Sequence, residues 1–147
     1  MSILERFRLD GRRAVITGGT RGLGFAMAKA LGEAGAELVI TSRNQEHLDE
    51  AQAELREIAP RVDAIAADLG PPEGAMAMCQ QVLDEMSPVD ILINNVGGRR
   101  INFPTEEMPL EEWQQIVDLN LTQAFLCTKL NDDAMHRRKR GRVSHLD

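Results

Sequence analysis

Tyrosine is absent from this sequence, and its whole aromatic complement is four phenylalanines and one tryptophan. No phenol is therefore available within these residues to act as a general acid or base. Cysteine is nearly as scarce. Cys79 and Cys127 cannot build a disulfide framework and have no metal-type neighbour spacing. They read as small buried hydrophobes in a reducing cytoplasm. No apolar run approaches the roughly 18 residues of a membrane span. Glu5, Arg6, Arg8 and Asp10 break up any apolar stretch of a signal peptide near the start.

What is present describes one globular domain: 147 residues, 43% hydrophobic and 27% charged. The 17 basic residues face 23 acidic ones, for a formal net charge of −6. Arg137, Arg138, Lys139, Arg140 and Arg142 gather five of the cations near one end, leaving 12 against 23 elsewhere. A body so acidic repels phosphates, so neither nucleic acid nor an anionic membrane is the expected partner. The basic run is read as a solvated helix end whose cations complement the helix dipole.

Short apolar runs alternate with helical patterns. Ala14-Val15-Ile16-Thr17 reads as a strand ending in glycines, and Phe25 to Ala34 as a helix closed by Gly35. Glu37 to Thr41 is a second strand. Asn44 caps a helix with Leu48, Ala51, Leu55 and Ile58 on one face, stopped by Pro60. Val62 to Ala67 is a third strand. Ala75, Cys79, Val82 and Met86 mark the next helix, Val89 to Ile93 a fourth strand, and a long helix runs from about Pro109 to about Met135. The alternation predicts an α/β fold, a doubly wound parallel sheet with strand order 3-2-1-4, covered by helices on both faces.

Thr17-Gly18-Gly19-Thr20-Arg21-Gly22-Leu23-Gly24 separates the first strand from the first helix. Gly18 permits a tight turn, Gly22 a close approach of backbone to phosphate, and Gly24 close packing of helix on strand. Amide groups at the helix start, with the helix dipole, favour a pyrophosphate there. The bare alternative is a tight turn that binds nothing.

The spacing Thr17-Gly-x-x-x-Gly-x-Gly24 resembles the short-chain dehydrogenase/reductases, and three further elements agree in type and order. Asp68-Leu69 follows the third strand, where the resemblance implies an Asp against the adenine ring. Asn94-Asn95-Val96-Gly97 follows the fourth and matches the family's Asn-Asn-Ala-Gly with Val for Ala. Asn120, within Asp118-Leu119-Asn120-Leu121, matches the active-site Asn of the long helix. The resemblance covers about Leu9 to Val143. It leans, through Asn-Val-Gly-Gly-Arg-Arg, towards gluconate 5-dehydrogenase and 3-oxoacyl-carrier-protein reductase members. It implies a Rossmann-type domain over 1–147, incomplete at its carboxyl end after about four strands. The implied chemistry is an NAD(P)-dependent interconversion of alcohol and carbonyl on a small molecule. Residues Thr17, Gly18, Thr20, Arg21, Gly22, Leu23, Gly24, Asp68, Leu69, Asn94, Val96 and Gly97 would hold the cofactor, and Asn120 would serve catalysis.

Physical reading bears on three of these expectations. Trp113, Val117, Asn120, Ala124 and Cys127 recur at helical spacing, so Asn120 falls on an apolar stripe and needs a specific partner. That partner could equally be a neighbouring strand, making the contact structural. NAD-preferring sites place a carboxylate about 20 residues past the glycines, whereas this chain has Thr41-Ser42-Arg43. Arg43 and Arg21 offer two cations to a 2′-phosphate, favouring NADP(H) over NAD(H); the alternative is that both are solvated charges.

In the family a Ser polarises the substrate oxygen, and a Tyr, assisted by a Lys four residues later, transfers the proton. Here Gly141-Arg142-Val143 resembles the start of a fifth strand, but Ser144 comes too early to be that Ser and Lys129 follows no Tyr. The 147 residues are therefore expected to bind cofactor without turnover, either as part of an oxidoreductase or as a dinucleotide-binding module that pairs with another subunit. Ser144, His145 and Asp147 are too close in sequence to converge as a triad. His47 and His136 read as solvated, the Glu106-Glu107 and Glu111-Glu112 pairs as complements to a helix start, and no metal site is apparent. Ile91-Leu92-Ile93 is expected at an open sheet edge. Homo-oligomerisation through helix 109–135 is the expectation from the family.

Overall fold

The computed structural model describes residues 1–98, 102–139 and 141–145; the expectations involving Arg99, Arg100, Arg140 and Asp147 lie outside them. After a one-turn helix α1 (Ile3–Arg6), the chain alternates β1 (Arg13–Ile16), α2 (Gly22–Glu33), β2 (Glu37–Ser42), α3 (Gln45–Arg56), β3 (Val62–Ala66), α4 (Pro72–Glu85) and β4 (Ile91–Asn94). Helices α5 (Leu110–Val117) and α6 (Gln123–Arg137) follow, then β5 (Arg142–His145). The strands form one parallel sheet in the order β3-β2-β1-β4-β5. The expected order 3-2-1-4 is present and extended by one strand.

Apolar runs without polar alternation arise because both faces of the sheet are covered. Ala14 and Ile16 of β1, with Leu38 and Ile40 of β2, pack under Ala28 of α2 and Leu48 and Leu55 of α3. The intervening Val15, Val39 and Leu92 pack on the opposite face under Met78, Cys79 and Val82 of α4 and Cys127 and Met135 of α6. Asn44 caps α3 as expected, its Oδ1 accepting from the His47 N–H at 3.0 Å. The helix ends at Arg56, ahead of Pro60, and Ile58 lies outside the buried face at 37% exposure.

Ile91-Leu92-Ile93 is not an open edge. β5 pairs along β4, matching Ile91 with Arg142 and Leu92 with Val143, so β4 is interior. Its short polar sequence, with only Val143 half-buried, gave little alternation to read.

The long helix is also not uniform. A π-helical turn, Asp118–Thr122, joins α5 to α6, and the Gln123 N–H bonds back to the Asp118 carbonyl five residues earlier. The buried stripe runs through Leu119, Gln123, Cys127, Asn131 and Met135. The stripe expected from Trp113 is thereby corrected: Trp113 is 51% exposed, and Asn120 sits in the π turn.

At the amino edge of the sheet, buried Asp90 collects the basic end of α6. Its Oδ2 accepts from the Arg13 N–H at 3.0 Å and its Oδ1 from Arg138 Nη2 at 2.9 Å, with Arg12 Nη1 at 3.6 Å. Arg137 pairs with Asp133 one turn back on α6. The basic run is therefore not merely solvated, because Arg138 ties α6 to the start of β4.

Candidate cofactor site

The site stands at the carboxyl edge of the sheet, where strands β1, β2 and β4 end side by side. β1 passes into the glycine turn, which is fastened from both neighbours. The Gly18 N–H reaches Thr41 Oγ1 at 3.3 Å and the Gly19 N–H reaches the Thr41 carbonyl at 3.2 Å. From the β4 side, Asn95 Nδ2 donates to the carbonyls of Thr17 and Gly18, each at 3.1 Å.

Glycine is required here for two separate reasons. Gly18 has φ +65° and a Cβ on it would stand 3.1 Å from Asn95 Nδ2, while Gly24 lies so close to Gly18 that a Cβ would collide with its carbonyl oxygen. Gly22, with φ +56°, faces open space at the start of α2, and Arg21 makes no side-chain cap there. The first amide groups of α2 are thus presented to a cleft of about 770 Å³.

Of the residues expected to hold a cofactor, Gly18, Thr20, Arg21, Gly22, Arg43, Leu69, Val96 and Gly97 line that cleft. Arg21 and Arg43 are exposed, and no ion pair joins either to a carboxylate among the described residues. An uncapped helix start and an open glycine, with two exposed cations beside them, fit the phosphates of a dinucleotide.

Five predicted residues do not line the cleft. Thr17 is fully buried, its Oγ1 accepting from the Asn95 and Val96 N–H groups at 2.9 and 3.2 Å and donating to the Ile93 carbonyl at 3.3 Å. It holds the wall rather than forming it. Gly24 lies beneath the turn, and Leu23 projects outward at 71% exposure. Asp68 accepts from the Gly70 N–H at 3.0 Å and borders an adjoining cavity with Pro72 and Gln115. Asn94 turns towards α6 and β5, its Nδ2 at 3.1 Å from Thr128 Oγ1 and 3.2 Å from His145 Nδ1.

Among the cleft residues that sequence reasoning did not assign to the cofactor are Asn95 and His47. Asn95 is the second amide of the quoted motif, and its partners lie 77 and 78 residues earlier. His47, expected to be solvated, is half-buried and lines the cleft beside Arg43.

Beyond Val96 a smaller cavity of about 260 Å³ is lined by Asn94, Asn120, Gln123 and His145. Asn120 grips the loop after β4. Its Nδ2 donates to the carbonyls of Gly98 at 2.9 Å and Ile116 at 2.8 Å, and its Oδ1 accepts from the Gly98 N–H at 2.9 Å. Both amide hydrogens are used, leaving one lone pair on Oδ1 as the free function. Among the described residues no group of His, Cys, Asp and Glu side chains could hold a metal ion, and no helix is long and apolar enough to cross a membrane.

The family model for short chain dehydrogenases matches residues 12–145. Galactitol 2-dehydrogenase of Rhizobium johnstonii is 34% identical over 99% of this chain and 56% of its own length. Gluconate 5-dehydrogenase of Gluconobacter oxydans is 32% identical over 99% of this chain and 57% of its own. The chain thus spans little more than half the length of these relatives. Among solved structures, L-sorbose reductase of Gluconobacter frateurii, complexed with NADPH and L-sorbose, superposes with TM-score 0.87 at 32% identity, over 95% of this chain and 53% of that one. A metagenomic short-chain oxidoreductase in complex with NADP gives TM-score 0.86 at 32% identity, over 93% and 61%. With the glycine turn, the Asn-Asn-Val-Gly loop and the sheet order in one register, the chain belongs to the short-chain dehydrogenase family.

Proposed function

We propose that this chain is the cofactor-binding portion of an NADP(H)-preferring oxidoreductase that interconverts an alcohol and a carbonyl. Its substrate would be small: a sugar acid, a polyol or a 3-oxoacyl group. The observation that carries the reading is the cleft at the start of α2, walled by Arg21 and Arg43 with no carboxylate at the end of β2. The relatives' named activities on galactitol and gluconate support the substrate class.

When bound, NADP(H) supplies or accepts a hydride at its nicotinamide ring. The chain's own part is to bind and to orient. Backbone amides at Gly22 and beyond would hold the pyrophosphate, and the guanidinium groups of Arg21 and Arg43 would hold the 2′-phosphate. Leu69, Val96 and Gly97 form the apolar side of the cleft. Asn120 serves the active site by fixing Gly98, with its remaining Oδ1 lone pair open to a donor from substrate or water.

The Ser and Tyr-x-x-x-Lys functions of the family have no counterpart among these 147 residues, which contain no tyrosine. That absence favours binding without turnover for the chain as given, and keeps a dinucleotide-binding module as a second reading. Two free buried thiols suit a reducing cytoplasm. Calorimetric titration with NADPH, alongside an NADPH-oxidation assay on a panel of keto-sugar acids, tests the proposal. The expected result is saturable binding with no oxidation; no binding of either dinucleotide would remove both readings.

A further inference from the structure

His47 lines two adjoining cavities, together with Thr20 and Arg21. One is the cofactor cleft, which Arg43 also lines; the other is a pocket of about 250 Å³ walled besides by Phe25, Glu50 and Glu54. It is half-buried while its neighbours Glu46 and Asp49 on α3 are exposed. Its backbone is fixed, because its N–H donates to the capping Asn44 Oδ1 at 3.0 Å. His47 is thereby held at the first turn of a twelve-residue helix, in the wall of the cleft that Arg21 and Arg43 also line.

We infer that His47 is a third contact of the 2′-phosphate subsite, alongside Arg21 and Arg43, so that discrimination for the phosphorylated cofactor strengthens as pH falls. The inference rests on the NADP(H) reading above and deepens it. Histidine gains positive charge and a second N–H donor across the neutral range, and a dianionic phosphate accepts from both. The charged groups about His47 are Arg21 and Arg43 in the cleft, Arg21 again with Glu50 and Glu54 in the adjoining pocket, and Glu46 next to it in sequence.

The phosphate itself titrates near pH 6, with the opposite sign for affinity. The readout is therefore the ratio of wild type to variant at each pH, from which the ligand's own titration cancels. Calorimetry of the full chain with adenosine 2′,5′-bisphosphate and with 5′-AMP, at about pH 6 and about pH 8.5, compares wild type with His47→Gln and Arg43→Glu. His47→Gln should weaken the bisphosphate roughly five- to tenfold at the lower pH and less than twofold at the higher. Thermal unfolding of His47→Gln should match wild type, which reports an intact fold, and any loss for 5′-AMP should be smaller than that for the bisphosphate. Wild-type affinity for the bisphosphate in His47→Gln at the lower pH, with Arg43→Glu still defective, would overturn this inference and leave the NADP(H) reading standing. Equal binding of the two nucleotides by wild type and by Arg43→Glu would remove that reading, and this inference with it.

Discussion

Asn120 holds both polar ends of Gly98, accepting from its N–H and donating to its carbonyl, each at 2.9 Å. One side chain thus welds the loop after β4 to the π turn, and its second amide hydrogen reaches the Ile116 carbonyl within the helix. Asn120→Ala removes three hydrogen bonds at a partly buried position, which should cost about 1–2 kcal/mol. The melting temperature should fall by roughly 3–8 °C. Asn120→Asp should cost at least as much, since it sets a carboxylate against two carbonyls. Thermal unfolding of the two variants settles it: an unchanged Tm would show that Gly98 is held by other means.

Arg43→Glu reverses charge in the cleft wall. NADPH affinity should drop roughly thirtyfold or more, while NADH affinity changes about threefold or less, because only the former meets the new carboxylate with a 2′-phosphate. Parallel titrations with both dinucleotides measure the split. Equal losses for the two would refute assignment of Arg43 to that phosphate.

Asp90 is 5% exposed and joins β1, β4 and α6 at the sheet's amino edge. Asp90→Ala should lower unfolding stability in urea by about 2–3 kcal/mol, because it strips the Arg13 N–H and Arg138 of a shared acceptor. Arg138→Ala should cost less, since Arg12 and the Arg13 N–H remain on the carboxylate. Cofactor affinity should stay unaltered in both, as the cleft lies at the opposite edge.

Leu121 and Phe125 are 67% and 61% exposed one turn apart on the outer face of the long helix, and the only tryptophan, Trp113, is 51% exposed two turns earlier. We propose this face as the contact between copies. Sedimentation should find wild type associated and Leu121→Glu shifted to the monomer, with the Trp113 emission moving to longer wavelength. A monomeric wild type would dismiss the contact.

Much of this arrangement was legible from local pattern. Gly18, Gly22 and Gly24 marked the turn, Asn44 marked the start of α3, and apolar strands marked a sheet buried on both faces. What stayed hidden depends on chain segments distant in sequence. Asn95 pairs across 77 and 78 residues, and His47 looks like any polar helix residue until the glycine turn is folded against it. The π turn has no local signature, so a regular period carried through Asp118–Thr122 assigned Trp113 and Asn120 to the wrong stripe. β5 carries one half-buried residue in four, too little contrast to reveal a pairing.

The five-residue turn at Asp118–Thr122 also makes the long helix tolerant of length in an unusual way. A π turn is one residue wider than an α turn, so deleting a single residue there would relax the backbone into a regular helix. The wide turn takes up its extra residue locally, so everything beyond it would keep nearly the same phase relative to α5. Cys127, Asn131 and Met135 would stay in the core, and only the side chains of the turn itself, Asn120 among them, would be displaced. A surplus residue, ordinarily a defect in a helix, is here what lets the turn bring Asn120 to Gly98 while α6 keeps its own face to the sheet.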